Sequence, residues 1–323
     1  FNNFYSAGIH TFNGIFSSLY GYPALLNQHP MRSTLMNTYS GISHALSDND
    51  YYTMFFITHD GQFDNAEGFL YNNGFNRVYS QKDYPANEVL STLGVPDHYL
   101  FDFSIETMNN AYKNGKPFLS VILTASNHKP VIIPKNIDFT PRSTDKNNHI
   151  NEYADWAVGK FIKDASQSEW FDNTIFIFTG DHGSMVNKSA YDIPIEHNYI
   201  PLLIYAPKIL KPQIFDNFGG QIDIYPIVMG LLNIEYENNT LGIDILKTPR
   251  PCMYFSADDK IACLNNDFLY VYRKSGIESL YMYRENDTKD YSNEYPAIAD
   301  SLKNYAFSMM QASQYMIKNK LTD

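Results

Sequence analysis

The clearest chemical pattern in the chain is a carboxylate and an imidazole at the end of a hydrophobic run. Residues 174–179 read Thr-Ile-Phe-Ile-Phe-Thr, and a Gly-Asp-His-Gly sequence that ends at Gly183 follows directly. In an open α/β sheet, active sites lie beyond the carboxyl ends of the strands, where Asp181 and His182 are expected to project. Carboxylate oxygen and imidazole nitrogen suit a divalent cation such as zinc or manganese. For this pattern alone, an Asp that caps a turn beside an incidental His is the alternative.

A second candidate is the hydroxyl of Thr11. It follows small and polar residues and precedes an apolar segment, so the sequence places it at the N-terminus of a helix. Free backbone amides and the helix dipole favour an anion or a developing alkoxide there. Beside a divalent cation, such a hydroxyl can be ionised and become a nucleophile. From this segment alone, an ordinary helix-capping threonine is the alternative.

Histidines also follow two other hydrophobic runs. His59 comes after residues 52–58, and His128 comes shortly after residues 118–124. Because a binding site belongs at the edge where strand ends converge, we expect both histidines to face such a site. His197 precedes a predicted strand, so it is expected at the opposite strand end unless its loop folds back.

A sheet flanked by helices must position these side chains. Short β-branched and aromatic runs predict buried strands at residues 52–58, 118–124, 174–179 and 199–205. Helix-like segments occupy residues 33–46, 65–73, 97–114 and 148–165. The order strand, helix, strand predicts an α/β fold with a mainly parallel central sheet.

The C-terminal quarter of the chain has a different sequence pattern. Closely spaced short strand candidates between turn signals predict an antiparallel lobe, and apolar residues at steps of three and four predict a closing helix at 297–317. We therefore predict a catalytic core of residues 1–248 and a C-terminal antiparallel subdomain with its helix at residues 249–323. Asp223 opens an apolar helix, so we interpret it as a cap or a buried hydrogen-bond acceptor.

The composition excludes several classes of protein. Of the 323 residues, 44% are hydrophobic and 15% aromatic, which excludes a disordered chain. The formal net charge is −11 and no run of Lys or Arg occurs, which argues against a nucleic-acid partner. The apolar stretches fall far short of the roughly 20 residues that a membrane-spanning helix needs, so we expect the chain as given to be soluble. The two cysteines, Cys252 and Cys263, are too few for a disulfide framework.

Taken together, these segments resemble one enzyme family, the lipoteichoic acid synthases. The family consists of phosphoglycerol transferases within the sulfatase and alkaline phosphatase superfamily. The similar segments, which occur in the family's order, are Thr11-Phe-Asn-Gly-Ile-Phe, Ser126-Asn-His128, Thr179-Gly-Asp181-His182-Gly, Ile200-Pro-Leu-Leu-Ile and Gln221-Ile-Asp223-Ile-Tyr-Pro. The pairing of Gly-x-x-Thr with the distant Thr-Gly-Asp-His-Gly is the most specific part.

The resemblance implies a role for each matching residue. Thr11 corresponds to the nucleophile that attacks a lipid-linked phosphodiester and holds a covalent phosphoryl-type intermediate. Thr11, Asp181 and His182 correspond to ligands of one divalent metal ion, with Mn²⁺ expected first and Zn²⁺ or Mg²⁺ as alternatives. His59 and His128 correspond to histidines that contact the head group, and we add His197 as a further substrate contact.

The resemblance also implies partners and a location. We expect a membrane phospholipid as donor and a glycan or lipid as acceptor, on the extracytoplasmic face of a bacterial membrane. Only ten residues precede Thr11 and none is acidic, whereas the family has a glutamate ligand some tens of residues before the nucleophile. We therefore expect a fragment that lacks its first strand, that glutamate and an upstream membrane anchor.

Two departures bear on the substrate. The segment after His59 lacks the arginine and tryptophan of the gram-positive synthases and carries Gln62, Asp64 and Asn65 instead. We predict Asp64 and Asn65 as substrate contacts, with the glycerol phosphate specificity left open. No Cys/Ser-x-Pro-x-Arg sequence lies near Thr11, which disfavours sulfate ester hydrolysis. A phosphoethanolamine transferase or related phosphodiesterase is the alternative enzyme, and a noncatalytic scaffold with a partial site is the alternative from another class.

Overall fold

The computed structural model describes residues 1–32, 37–184 and 189–322. The strands among these residues are β1 Asn3–Tyr5, β2 Tyr52–Ile57, β3 Arg77–Tyr79, β4 Phe118–Leu123, β5 Phe176–Thr179, β6 Leu202–Tyr205, β7 Phe218–Gly220, β8 Met253–Ser256, β9 Lys260–Leu264, β10 Leu269–Arg273 and β11 Glu278–Tyr281. The α-helices are α1 Thr11–Tyr20, α2 Ile42–Ser47, α3 Ala66–Asn72, α4 Asp97–Lys113, α5 His149–Ala165, α6 Ile195–Asn198, α7 Ile224–Leu232 and α8 Pro296–Lys318. The predicted α/β fold with a C-terminal antiparallel sheet and a closing helix is confirmed.

The predicted elements agree with these bounds to within two residues, except at the N-terminal part of the chain, at the start of β6 (predicted at 199, observed at Leu202) and at the shortest strands. Helix 33–46 was predicted, but residues 33–36 lie outside the described residues and α2 begins at Ile42. The three-residue strands β1, β3 and β7 were not predicted, because three residues carry no readable alternation. No helix in the described part of the chain is both long and apolar enough to cross a membrane.

By compactness the chain divides into two units. Unit 1 consists of Phe1–Ile42, Ile175–Tyr205 and Leu210–Asp323, and unit 2 consists of Ser43–Thr174 and Ala206–Ile209. Unit 1 therefore contains both the segment around Thr11 and the C-terminal sheet. The division into residues 1–248 and 249–323 stays a prediction.

Unit 2 contains a parallel sheet with the strand order β3, β2, β4. The central strand β2 is buried over five of its six residues, which explains its continuous apolar run. Strands β2 and β4 pair in register from Tyr52 opposite Phe118 to Ile57 opposite Leu123. Both strands therefore end at the same edge, and the chain after each of them leaves from that edge.

Unit 1 contains two short strand pairs of opposite kind. Strands β1 and β7 pair in parallel, whereas β5 and β6 are antiparallel, with Thr179 opposite Leu202 and Phe176 opposite Tyr205. The last residue of β5 therefore lies beside the first residue of β6. The chain just before β6, which carries His197, therefore lies at the end of β5. The sequence alone predicted the opposite strand end for His197.

The C-terminal strands form an antiparallel sheet with the order β11, β10, β9, β8. Its buried side chains, among them Tyr254 and Tyr270, pack with Leu302 and Ala306 of α8. Burial of this apolar helix face against the sheet stabilises both elements, at roughly 25 cal/mol for each Å² of apolar surface removed from water. The predicted closing helix is confirmed, and its apolar face docks onto this sheet.

Asp223 is a buried hydrogen-bond acceptor, as predicted. Its side chain accepts hydrogen bonds from the amides of Gly220 at 3.0 Å and Ile243 at 2.9 Å, and it pairs with the guanidinium of Arg250. Burial alone would lower the pKa of Arg250, but the neighbouring Asp223 carboxylate raises it above its ordinary value. The pair thus has a structural role at the N-terminus of α7.

Candidate active site

Thr11 is the first residue of α1, and its hydroxyl is bonded to Asp181. Thr11 Oγ1 donates to Asp181 Oδ2 over 2.7 Å. The N-cap position is occupied by His10, whose side chain makes no capping hydrogen bond. The alternative of an ordinary capping threonine is therefore wrong, because the Thr11 hydroxyl points to the carboxylate at the end of β5.

Gly14 allows α1 to approach the backbone of Asp181. A Cβ at Gly14 would lie 2.7 Å from the carbonyl oxygen of Asp181 and 2.8 Å from its Cα, so no larger residue fits without movement. Gly14 lies three residues after Thr11, and positions i and i+3 share a helix face. The same face of α1 therefore carries the hydroxyl and packs on the strand end.

Gln221 holds the end of β5 to the segment before α1. Its side chain is fully buried, and Nε2 donates to the carbonyl oxygens of Gly180 at 2.9 Å and Asp181 at 2.8 Å. Its Oε1 accepts a hydrogen bond from the amide of Ala7 at 2.9 Å. Sequence reasoning missed this residue, although the Gln-Ile-Asp segment was part of the resemblance. Such an amide is a positioning residue, because it touches only backbone.

Three histidines at strand ends orient their rings in the same way. Nδ1 lies within hydrogen-bond distance of the carbonyl oxygen of the next residue in His182 (2.8 Å), His59 (3.0 Å) and His128 (2.7 Å). A carbonyl oxygen can only accept, so each Nδ1 carries a hydrogen. A neutral ring in this tautomer presents Nε2 with its lone pair, which can bind a metal ion or accept a hydrogen bond from a ligand.

His197 lies beside His182 in unit 1. The amide of Gly183 donates to the carbonyl oxygen of His197 at 2.8 Å, and the rings of His182 and His197 meet edge to face with centroids 5.5 Å apart. The expectation that His197 lies at the opposite strand end is wrong, because β6 runs antiparallel to β5. Burial lowers the pKa of His197, and the nearby His182 and His10 lower it further.

Gly183 makes this close contact possible. A Cβ at Gly183 would lie 2.3 Å from the carbonyl oxygen of Glu196 and 3.0 Å from that of His197. The glycine of the Gly-Asp-His-Gly sequence is therefore required by the returning chain before β6. Its hydrogen bond and its missing side chain together set the distance between the two histidines.

The side chains around Asp181 Oδ2 fit part of a divalent metal site. In addition to its hydrogen bond from Thr11 Oγ1, Asp181 Oδ2 lies 3.5 Å from His182 Nε2. That separation is close to the one expected for two ligands that each lie about 2.1 Å from the same tetrahedral ion. Within the described residues, no group of three His, Cys, Asp or Glu side chains could hold a metal ion. The set thus consists of one carboxylate, one imidazole and the threonine hydroxyl.

The other predicted substrate contacts lie in unit 2, after β2 and β4. His59 is half-buried and His128 is exposed, each on a chain segment that leaves the same edge of the unit 2 sheet. Asp64 and Asn65 follow His59, and both have left-handed backbone conformations, with φ of 57° and 56°. Two successive non-glycine residues of this kind are uncommon and indicate a constrained turn. Their predicted contact with substrate stays a prediction.

Comparison with known proteins agrees with this architecture. Residues 1–234 match the family model described as Sulfatase. Lipoteichoic acid synthase-like YvgJ of Bacillus subtilis is 26% identical over 250 residues, which are 70% of this chain and 40% of that protein. Phosphoglycerol transferase I of Xanthomonas campestris is 24% identical over 216 residues, which are 64% of this chain and 31% of that protein. The chain thus spans less than half the length of these two relatives.

A solved structure extends the likeness over the whole chain. The crystal structure of a protein in the alkaline phosphatase superfamily from Vibrio parahaemolyticus has a TM-score of 0.89 and 25% sequence identity. The match covers 100% of this chain and 79% of that one.

Proposed function

Because the chain belongs to the sulfatase family, we propose that it is a phosphoglycerol-type transferase that acts on a membrane-lipid phosphodiester through a covalent phospho-Thr11 intermediate. The observation that carries the proposal is the 2.7 Å hydrogen bond from Thr11 Oγ1 to Asp181 Oδ2. It pairs a hydroxyl with the carboxylate that can take its proton, next to an imidazole. The name of one relative, phosphoglycerol transferase I, supports the choice of phosphoglycerol transfer.

In the first half of the proposed reaction, Thr11 Oγ1 attacks the phosphorus of the donor. The bond between Oγ1 and phosphorus forms, and the bond from phosphorus to the lipid oxygen breaks. Asp181 Oδ2 already accepts the hydrogen bond of Thr11, so it receives the proton and passes it to the departing lipid alcohol. The N-terminus of α1 favours the negative charge of the phosphoryl group on Thr11.

In the second half, an acceptor hydroxyl attacks the phosphorus on Thr11. The new bond from acceptor oxygen to phosphorus forms while the bond to Thr11 Oγ1 breaks. The acceptor proton leaves to Asp181 Oδ2 and returns to the threonine oxygen, so the enzyme ends as it began. Gln221 and Gly183 keep the end of β5 in place through both halves, because their contacts do not involve the reacting atoms.

Thr11, Asp181 and His182 are the residues that would hold a divalent cation, Mn²⁺ in our proposal, with Zn²⁺ or Mg²⁺ as alternatives. When bound, such an ion lowers the pKa of a coordinated hydroxyl and neutralises charge on the phosphate oxygens. His182 is prepared for this role, because its Nδ1 hydrogen bond to Gly183 leaves Nε2 as the donor atom.

We assign head-group contacts to His59, Asp64, Asn65, His128 and His197. The proposed donor is a membrane phospholipid, the proposed acceptor is a glycan or lipid, and the proposed location is the extracytoplasmic face of a bacterial membrane. One observation favours a second candidate, phosphoethanolamine transfer. The turn after β2 carries the exposed carboxylate of Asp60 and the half-buried one of Asp64, and carboxylates suit a cationic amine.

The test of the proposal is Thr11→Ala in the whole protein, assayed with a chromogenic phosphodiester. We expect turnover to be abolished, because the attacking oxygen is gone. Thr107→Ala is the matched control, since the Thr107 hydroxyl donates only to the carbonyl oxygen of Phe103 in its own helix. Unchanged turnover in Thr11→Ala would contradict the proposal. Intact mass of the trapped wild-type enzyme distinguishes a phosphoglycerol adduct from a phosphoethanolamine adduct.

A further inference from the structure

A cavity of about 120 Å³ lies beside the N-terminus of α1 in unit 1. It has room for several water molecules, each of which occupies about 30 Å³ in the liquid. Residues on both sides of Thr11 in sequence line it, among them Ile9, His10, Phe12 and Asn13. Thr11 itself is not among the lining residues, so the cavity is separate from the reacting hydroxyl.

The C-terminal sheet supplies the opposite side of the cavity. Ser256, Ala257 and Asp258, at the turn between β8 and β9, belong to its lining. The amide of Ser256 donates to the carbonyl oxygen of Ala7 at 2.9 Å, and His10 Nε2 lies 2.8 Å from Asp258 Oδ1. The turn is therefore held directly against the segment that leads into the nucleophile.

Stacked rings support the lining from inside α1. The ring of Phe12 stacks on His10 with centroids 5.2 Å apart and on His29 with centroids 3.7 Å apart. The loop that carries His29 also contacts the turn. When the side-chain amide of Asn27 is turned so that both its nitrogen and its oxygen have partners, the nitrogen donates to the carbonyl oxygen of Asp258 at 3.2 Å. Three separate chain segments thus line the cavity.

The charges of the lining select a neutral ligand. Its polar side chains are amides, imidazoles, a hydroxyl and one carboxylate, that of Asp258, and the described lining residues include no lysine or arginine. The Asp258 carboxylate already pairs with His10 Nε2 at 2.8 Å, and the Lys274 amine beside the lining contacts the Asn27 amide oxygen at 3.1 Å. Because these charged groups are engaged within the protein, a neutral ligand fits better than a second phosphate. A ligand with several hydroxyl groups can donate to the carboxylate and amide oxygens and accept from the amide nitrogens.

We propose that this cavity binds the hydroxyl-rich part of the acceptor, a polyol or a sugar. The inference rests on the proposed transfer reaction and adds to it where the acceptor is held. It also gives the C-terminal sheet a role, since Ser256, Ala257 and Asp258 contact the acceptor while α1 of the same unit supplies the nucleophile.

The first experiment measures binding without turnover. In Thr11→Ala, glycerol and glucose are titrated while the backbone amide signals of residues 256–258 are followed by NMR. We expect shifts at these amides with both probes. Ala257→Leu, which fills the cavity, is expected to weaken the apparent affinity at least about tenfold, a loss of about 1.4 kcal/mol. Shifts that are absent, or that persist unchanged in Ala257→Leu, would overturn the inference.

The second experiment measures the fate of the phosphoryl group with a soluble phosphodiester donor and glycerol as acceptor. We expect Ala257→Leu to lower the ratio of transfer to hydrolysis about tenfold. Ala312→Leu, a change of the same size on α8, is the control and leaves the ratio unchanged. An unchanged ratio in Ala257→Leu contradicts the acceptor site. If wild type and Thr11→Ala consume donor equally, the proposed function fails, while the binding experiment still decides whether the cavity takes polyols.

Discussion

The Thr11–Asp181–His182 centre of unit 1 and the histidine pair of unit 2, His59 and His128, use the same side chain in different settings. In both, a histidine follows a strand and turns Nδ1 to the next carbonyl oxygen. In unit 1 the neighbouring carboxylate accepts from Thr11, and Gln221 fixes the backbone beneath it. His59 is half-buried and His128 is exposed, and the hydrogen bond of each Nδ1 stays within its own loop.

This difference indicates which side chains are already positioned by the fold before a ligand binds. The unit 1 centre is connected by side-chain and backbone hydrogen bonds, so its geometry is built by the fold. The Nδ1 hydrogen bonds of the unit 2 pair stay within their own loops, so a ligand can rotate these rings at low cost. Changes in unit 1 should therefore act on kcat, and changes in unit 2 should act on KM.

The largest effect is expected from Asp181→Asn. The amide keeps the size of the carboxylate but cannot take the Thr11 proton and binds a cation poorly, so kcat/KM should fall by roughly 10³-fold. Steady-state kinetics with a soluble phosphodiester measures it. Asp172→Asn, whose carboxylate is exposed near Lys208, is the control and should keep full activity. A loss below tenfold would show that the centre is not the reacting site.

A smaller effect is expected from Gly183→Ala. The added methyl group would lie 2.3 Å from the carbonyl oxygen of Glu196, so the chain before β6 must move and carry His197 with it. A displacement of about 1 Å in an active site can cost roughly 10²-fold in rate, and we expect a fall of that order in kcat. Gly159→Ala is the matched control, because a Cβ there meets nothing within 4 Å. Wild-type kcat in Gly183→Ala would mean that the unit 1 centre tolerates movement.

The smallest effect is expected from His128→Gln. An exposed residue that contacts only the head group contributes to binding of substrate and transition state alike, so KM should rise about tenfold while kcat changes little. His149→Gln is the control, since His149 Nε2 is engaged with the carbonyl oxygen of Ser143. If kcat falls instead and KM stays constant, His128 takes part in the chemistry and the contrast between the two regions is lost.

Much of the fold could be read from local pattern. The buried strand β2 and the helices α4 and α5 have long, strongly patterned segments, and their predicted bounds lie within one residue of the observed ones. The short strands β1, β3 and β7 were missed, because pairing with partners distant in sequence creates them. Gly14 and Gln221 were not assigned roles, since a close backbone approach leaves no periodic signal.

The sequence by itself determined the α/β class through local patterns, and it named Thr11, Asp181 and His182 as candidates through a family resemblance that combines two motifs distant in the chain. Only the tertiary structure decided where His197 lies, since the direction of β6 relative to β5 is a pairing choice that local propensity does not encode. It likewise decided that the turn at Asp258 reaches His10, because that contact joins segments brought together by burial of the C-terminal sheet within unit 1.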